Sequence, residues 1–423
     1  MKKGFVLFVT IILLVSLVAC STPAVSATTL KSDKPRLTLN DLKDTDLTLL
    51  VDGNTEFALN LYQQLKEEDG NIFYSPYSLS VALAMTYAGA RGETEQQMLD
   101  TLKFYLSQDQ LHPAFNYLEQ VLATRGEGAE GKNGDGFRLN IVNDIWGQKD
   151  FQFLDEFLDT MAENYGAGLR ILDFVNAPEE ARKIINDYIS EQTENRINDL
   201  IPEGLIDTMT RLVLTNAIYF NAAWQYPFAE ELTADGIFHL LDGSEVTVPM
   251  MYQDENLGYA EGEGYQAVEL KYDGEEISMV IILPEDGQFD SFEQSLDSDM
   301  LNDIINNLEQ KHVELTLPKW EYEDFFKLKE TLKAMGMPIA FSDAADFSGM
   351  TGKRDLYIDE VVHKSFVSVD EAGTEAAAAS AVIMKLTAAP VDVAKFTADR
   401  PFIYLIRDIE TGSVLFMGRL VNP

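Results

Sequence analysis

Cysteine is all but missing from this chain of 423 residues, which has one, Cys20. That excludes a disulfide framework and any zinc site built on thiolates, so stability has to come from packing. Histidine is nearly as scarce: His112, His239, His312 and His363 are the whole supply, and none stands in HExxH or comparable ligand spacing. Basic residues number 32 against 70 acidic ones, for a net charge of −38. No Lys/Arg cluster offsets the deficit, which argues against nucleic acid and against a polyanionic cofactor. The nucleotide motifs GxGxxG and GxxxxGKS/T are absent, as is the GxSxG nucleophile elbow. No cofactor or metal is therefore expected, and nothing marks a catalytic nucleophile. Paired carboxylates are too common in so acidic a chain to indicate hydrolysis.

What is present begins at the N-terminus. Lys2 and Lys3 precede an apolar run from Phe5 to Val18, the charge-then-hydrophobic order of an export signal. The run ends Leu17-Val18-Ala19-Cys20, which resembles the lipobox of prokaryotic lipoproteins. An uncleaved span is the other reading, but roughly 15 apolar residues fall short of the about 20 that a membrane helix needs. The expectation is a signal peptide over residues 1–19, lipidation at Cys20, a lipid-anchored tether over 20–45 and one folded domain over 46–423. This places the protein outside the cytoplasm, at the cell surface or in the periplasm, with a released, secreted form as a further option.

Residues 55–67 are expected to form a helix, with Phe57, Leu59, Leu61 and Leu65 among its apolar positions. Ser75-Pro76 is a helix-start signal, and Leu79–Met85 is apolar nearly all round, as in a buried helix. Residues 178–197 open with Pro and two Glu and place Ile184, Ile185, Tyr188 and Ile189 on one side. The second half turns to strands: a buried one over 211–221, a hairpin over 267–283 turning at Asp273-Gly274, and another around Glu410-Thr411-Gly412. Helices early and strands late, with long-range pairing, give an α+β class.

Residues 371–389 read EAGTEAAAASAVIMKLTAA. As a helix, Thr374 caps it and Ala376–Ala379 propagate it. As a strand, Thr374, Ala376, Ala378, Ser380, Val382, Met384 and Leu386 form an uncharged face, while Glu375 and Lys385 lie on the other. No proline interrupts the stretch before Pro390, and Gly373 stands where a hinge needs backbone freedom. Composition alone weighs the two conformations about equally.

The run Asp370-Glu371-Ala372-Gly373-Thr374-Glu375-Ala376-Ala377-Ala378-Ala379 resembles the reactive-centre-loop hinge of inhibitory serpins. Further likeness lies in residues 71–78 (NIFYSPYS), 214–220 (LTNAIYF), Ala223-Trp224, 362–365 (VHKS), 400–406 (RPFIYLI) and 415–423 (LFMGRLVNP). The resemblance implies the serpin fold, three β-sheets with eight or nine helices and an exposed reactive-centre loop. It also implies a protease inhibitor rather than an enzyme, one that traps the acyl-enzyme by inserting its cleaved loop into the large sheet. Carried over residue by residue, Gly373, Thr374, Glu375, Ala376, Ala377, Ala378 and Ala379 form the hinge. Ser75, Ser78, Asn216 and His363 form the buried shutter beneath the opening; Trp224, Lys319 and Glu371 belong to the breach at its top. The family's usual hinge length puts the reactive bond at Thr387–Ala388, with Leu386, Lys385 and Met384 as neighbouring candidates. A subtilisin-like or elastase-like serine protease is the expected partner, or a trypsin-like one if Lys385 is recognised. A monomer is expected, with the lipid anchor as its one membrane contact. The rival readings are a non-inhibitory serpin acting as carrier or chaperone, a surface solute-binding lipoprotein and a secreted hydrolase.

Overall fold

The computed structural model of the chain describes residues 27–38, 43–127, 129, 137–374 and 392–423. Cys20 and the signal segment lie outside them, as do Glu375, Ala376, Ala377, Ala378, Ala379, Met384, Lys385, Leu386, Thr387 and Ala388.

Two hydrogen-bonded sheets organise the described residues. The first has seven strands, in the order β1 (Thr28–Leu30), β4 (Leu169–Leu172), β3 (Phe137–Gln148), β5 (Leu212–Ala223), β13 (Gly373–Thr374), β12 (Glu360–Val369) and β11 (Trp320–Lys327). The second has nine. It runs β14 (Val393–Thr397), β10 (Glu309–Pro318), β7 (Glu245–Gly262), β8 (Tyr265–Lys271), β9 (Ile277–Pro284), β15 (Phe402–Asp408), β16 (Val414–Leu420) and β2 (Ile72–Tyr74), with β6 (Ala234–His239) added beside β7. The long β7 joins two limbs of this sheet. Its residues 245–259 pair with β6 and β10, and its residues 258–262 pair with β8. Taken limb by limb, the architecture is an α+β fold of three sheets. Ten α-helices occur among the described residues, against eight or nine expected, and some are single short turns such as Ser348–Thr351.

Local sequence explains most of these elements. Ser75 caps the helix Pro76–Tyr87, accepting the Ser78 N–H, and Pro76 occupies the first helical position where a missing N–H costs nothing. Every residue of that helix is buried, because it packs against β3 and β5 of the first sheet and β16 of the second. Residues 55–67 belong to a longer helix, Asp44–Leu65, which carries Gly53 in its interior. A Cβ on Gly53 would meet the Lys103 carbonyl oxygen at 2.2 Å, so glycine is kept there for close packing despite its poor helix propensity. β5 is buried along its length except at half-buried Ala223, as its mostly apolar sequence predicts, with Thr215, Asn216 and Asn221 as buried polar exceptions. In the β8–β9 turn the left-handed residues are Gly274 and Glu275, not Asp273 and Gly274 as expected, because the connection is longer than two residues. Of the expected tether, residues 27–38 form an edge strand and further contacts with the body, and Asp44 and Thr45 already belong to the helix Asp44–Leu65.

Candidate functional site

The first sheet contains a seam. β5 and β12 pair directly, and in parallel, from Val213↔Glu360 to Ile218↔Ser365. Beyond that point they separate, and the two residues of β13 stand between them. Thr374 lies antiparallel to Val369 on one side and to Ala222 on the other, with Gly373 opposite Ala223. The strand at the start of the alanine-rich stretch is thus wedged into the top of a sheet that is closed below it.

Several contacts hold this wedge. The Thr374 side chain is buried, and its hydroxyl shares a 2.7 Å hydrogen bond with the hydroxyl of Tyr272, also buried. Burial pushes the Tyr272 phenol well up, so it is a neutral partner at any ordinary pH. Tyr272 stacks on Trp224 with ring centroids 4.6 Å apart, and Trp224 Nε1 donates to the Asp370 carbonyl at 3.0 Å. The backbone N–H of Trp224 donates to the Ala372 carbonyl, and that of Phe228 to the Glu371 carbonyl. Lys319 Nζ meets Glu371 Oε2 at 2.6 Å, while Thr233 Oγ1 donates to Glu371 Oε1 at 2.7 Å. Burial pushes the Glu371 carboxyl up, but the Lys319 ammonium and the Thr233 hydroxyl outweigh it and leave the group below the usual carboxylate range. Gly373 is not in a left-handed conformation. The arrangement adds a steric requirement: a Cβ there would lie 2.1 Å from the Ala222 carbonyl oxygen and 2.8 Å from Ala223 Cα.

Beneath the wedge, strand register lines up three polar side chains across the sheet. Asn143 of β3 faces Asn216 of β5, and Asn216 faces His363 of β12. From below, the helix Pro76–Tyr87 contributes Ser78 and its cap Ser75. The Ser75 N–H donates to His363 Nε2 at 3.1 Å, which makes Nε2 the acceptor and puts the ring proton on Nδ1. Nδ1 then donates to Asn216 Oδ1. Asn216 Nδ2 donates to Ser78 Oγ and to Asn143 Oδ1; Ser78 Oγ donates to Asn143 Oδ1 at 3.0 Å; Ser75 Oγ donates to the Leu415 carbonyl at 2.6 Å. All the directions are mutually consistent, so the row satisfies its own donors and acceptors. Its members Ser75, Ser78, Asn216 and His363 are fully buried. Burial lowers His363 to about 3, so it is a neutral hydrogen-bonding group here and not an acid or base.

The structure therefore brings Ser75, Ser78, Asn216 and His363 into one network, and Trp224, Lys319 and Glu371 around the base of β13. Two participants escaped the sequence reading. Asn143 is one of several polar residues of β3, with Asn140, Asp144 and Gln148, and only its register with Asn216 singles it out. Tyr272 sits beside a turn, where nothing in the sequence points to Thr374. The remaining hinge positions and the reactive-bond candidates lie outside the described residues.

Comparison with known proteins adds to this geometry. The family model described as Serpin (serine protease inhibitor) matches residues 52–423. An uncharacterized serpin-like protein of Thermococcus kodakarensis is 40% identical over 395 residues, covering 93% of this chain and 90% of that protein. The human leukocyte elastase inhibitor is 40% identical over 386 residues, covering 88% of this chain and 99% of that protein. Among solved structures, the thermophilic serpin tengpin in its native state superposes with a TM-score of 0.82 at 29% identity, over 94% of this chain and 100% of that one.

Proposed function

The chain belongs to the serpin family, and we propose that it inhibits serine proteases as a suicide substrate whose cleaved loop fills the β5–β12 seam. The observation that carries this reading is the position of Thr374, already paired on both sides at the top of that seam. Continuing its antiparallel register, each further residue would face one residue lower on both neighbours. Ser380 would then come opposite Asn216 and His363 together, although β5 and β12 set that position independently. The seam would be full at about Ile383 or Met384, opposite the first residues of β12 and β5. A cut at Thr387–Ala388, or beside Leu386, Lys385 or Met384, would free the whole filling stretch.

Side-chain alternation favours the same outcome. Thr374 points into the core, so Ala376, Ala378, Ser380, Val382 and Met384 would follow it inward, and none is charged. Ala376–Ala379 are small enough for rapid entry. A loop that entered slowly would let the acyl-enzyme hydrolyse and would leave a substrate in place of an inhibitor.

The elastase-inhibitor relatives favour an elastase-like target for this chain, and the residues around Thr387 suit a subtilisin-like enzyme equally well. Lys385 would suit a trypsin-like one. We place the protein outside the cytoplasm, held by lipid on Cys20. Replacing Cys20 with Ser should abolish labelling by a radioactive fatty acid, and persistent labelling would remove that assignment.

The test of function is incubation of a soluble form starting at Ser21 with elastase, subtilisin and trypsin. A covalent complex that survives denaturation is expected, together with a C-terminal peptide whose mass locates the bond. Clean cleavage with no complex from each protease would assign the chain to the non-inhibitory members.

A further inference from the structure

Residues 27–38 precede residue 52, where the family match begins, yet they are bound along the body. β1 extends the large sheet beyond β4, pairing Thr28, Thr29 and Leu30 with Ile171, Arg170 and Leu169. Lys31 Nζ donates to the Gly166 carbonyl at 2.5 Å, and Lys34 reaches Asp159 and Glu163 at 2.9 and 3.3 Å. The Leu37 N–H donates to the Glu163 carbonyl at 2.8 Å, and the Leu37 carbonyl accepts from Asn116 Nδ2 at 2.8 Å and Gln120 Nε2 at 3.0 Å. Arg36 donates to Asn116 Oδ1 at 2.7 Å and pairs with Glu119 at 3.0 Å. Burial pushes the Glu119 carboxyl up while Arg36 pulls it down, so the cation offsets part of the cost of burying that acid. One short segment, with three cations and one acid, is fastened to a strongly acidic body.

These contacts cross a joint. β3 pairs with β5 along its length and with β4, so opening the seam must carry β5, β3 and β4 away from β12 and β11 as a block. The helix Gln108–Leu122 packs on the helix Asp155–Tyr165 and on the helices Asp44–Leu65 and Pro76–Tyr87, and the last two also pack on β16 of the second sheet. The segment thus joins β4 on the block to the helices Asp155–Tyr165 and Gln108–Leu122 of the layer that reaches the second sheet. We propose that residues 27–38 act as a clasp that ties the moving edge of the large sheet to the helices behind it and slows spontaneous opening of the seam. This rests on the insertion reading above. Because partly exposed ion pairs hold the clasp beside its strand pairing and backbone hydrogen bonds, salt weakens it.

The test uses the full chain in detergent, as wild type, as the double variant Lys34→Ala/Arg36→Ala, and as Arg36→Lys. Each is held below its melting temperature, and calorimetry follows conversion to a form that melts higher. The double variant should convert at least about tenfold faster. Arg36→Lys should stay near wild type, and added salt should accelerate wild type but not the double variant. Should the double variant fold poorly, Lys34→Ala alone replaces it: faster conversion with a weaker salt dependence than wild type is expected, and wild-type rate and salt dependence overturn the clasp. Loop cleavage with melting as the readout separates the two ideas. Equal conversion rates, or no conversion in any form, with cleavage still raising the melting temperature, overturn the clasp alone. No rise on cleavage overturns the insertion reading and the clasp with it.

Discussion

Acidification from pH 8 to pH 5 probes the polar row through one residue. His363 is fully buried, and burial lowers its imidazole to about 3, against about 6.5 in an unfolded chain. The folded protein therefore keeps it neutral, accepting from Ser75 and donating to Asn216. Below pH 6.5 the unfolded chain takes up a proton that the folded chain refuses, so this contribution is intact above pH 6.5 and is lost progressively towards pH 3. At pH 5 the loss is about 2 kcal/mol for a single such histidine. His112, lowered to about 4 by burial and by Arg91, adds a similar loss. Buried carboxyls act the other way. Burial raises Asp324 to about 6 and also raises Asp144 and Asp370, so their contributions are present at low pH and fade as pH rises through their folded values. The total curve mixes both signs, and a difference experiment isolates the histidine. His363→Gln keeps a neutral donor and acceptor but cannot titrate. In urea unfolding at the two pH values, wild type should lose about 2 kcal/mol more than the variant. Identical pH dependence of the two would refute the claim that His363 is held neutral by burial in the row.

Replacing Thr374 with Arg puts a charge where a buried hydroxyl meets Tyr272. The stoichiometry of inhibition should rise at least about tenfold as cleavage outruns trapping, and unchanged stoichiometry would sink the hinge assignment. Gly373→Ala sets a Cβ 2.1 Å from the Ala222 carbonyl; β13 should leave the sheet at a cost of about 1–3 kcal/mol, read as a lowered melting temperature with normal secondary structure. Asn143→Ala removes the acceptor of both Asn216 and Ser78. It should destabilise by about 1–3 kcal/mol in urea unfolding, whereas an effect under about 0.5 kcal/mol, as for ordinary surface changes, would mean the row does not depend on it.

The fold was legible where the sequence carries period and punctuation. The Ser75-Pro76 cap, the mostly apolar, β-branched run of β5 and the Gly412 turn each announce a local element, and each appears. Pairing partners were not legible, because register is set by distant segments. Hence Ser78, Asn216 and His363 were recognisable through family likeness, while Asn143, two strands away from His363, was not. Gly373 shows a subtler limit. Sequence marks it for conformational freedom, while the steric need for glycine comes from a carbonyl oxygen of a neighbouring strand, which only the assembled sheet supplies. The docking of residues 27–38 was hidden for the same reason. Ser, Thr, Ala and Lys read as a linker, and the acids that hold the cations, Glu119, Asp159 and Glu163, lie on helices far along the chain.

Topology also indicates why the uninserted arrangement would persist once the insertion reading is accepted. The seam is closed by a parallel ladder, whereas Thr374 pairs antiparallel with both neighbours. Filling the seam would exchange one parallel ladder for two antiparallel ones, a change that gains hydrogen bonds and a slightly better geometry per residue. The intact chain is held back by its other end. Val393–Thr397, following the reactive-bond candidates, forms β14 and pairs with β10 in the second sheet from His312↔Val393 to Thr316↔Thr397. With the chain uncut, drawing the loop down the seam strains against that ladder. Cutting between Thr374 and Val393 removes the constraint without touching either sheet. On the insertion reading, release of that driving force would depend on one covalent bond, the bond that a target protease would cut.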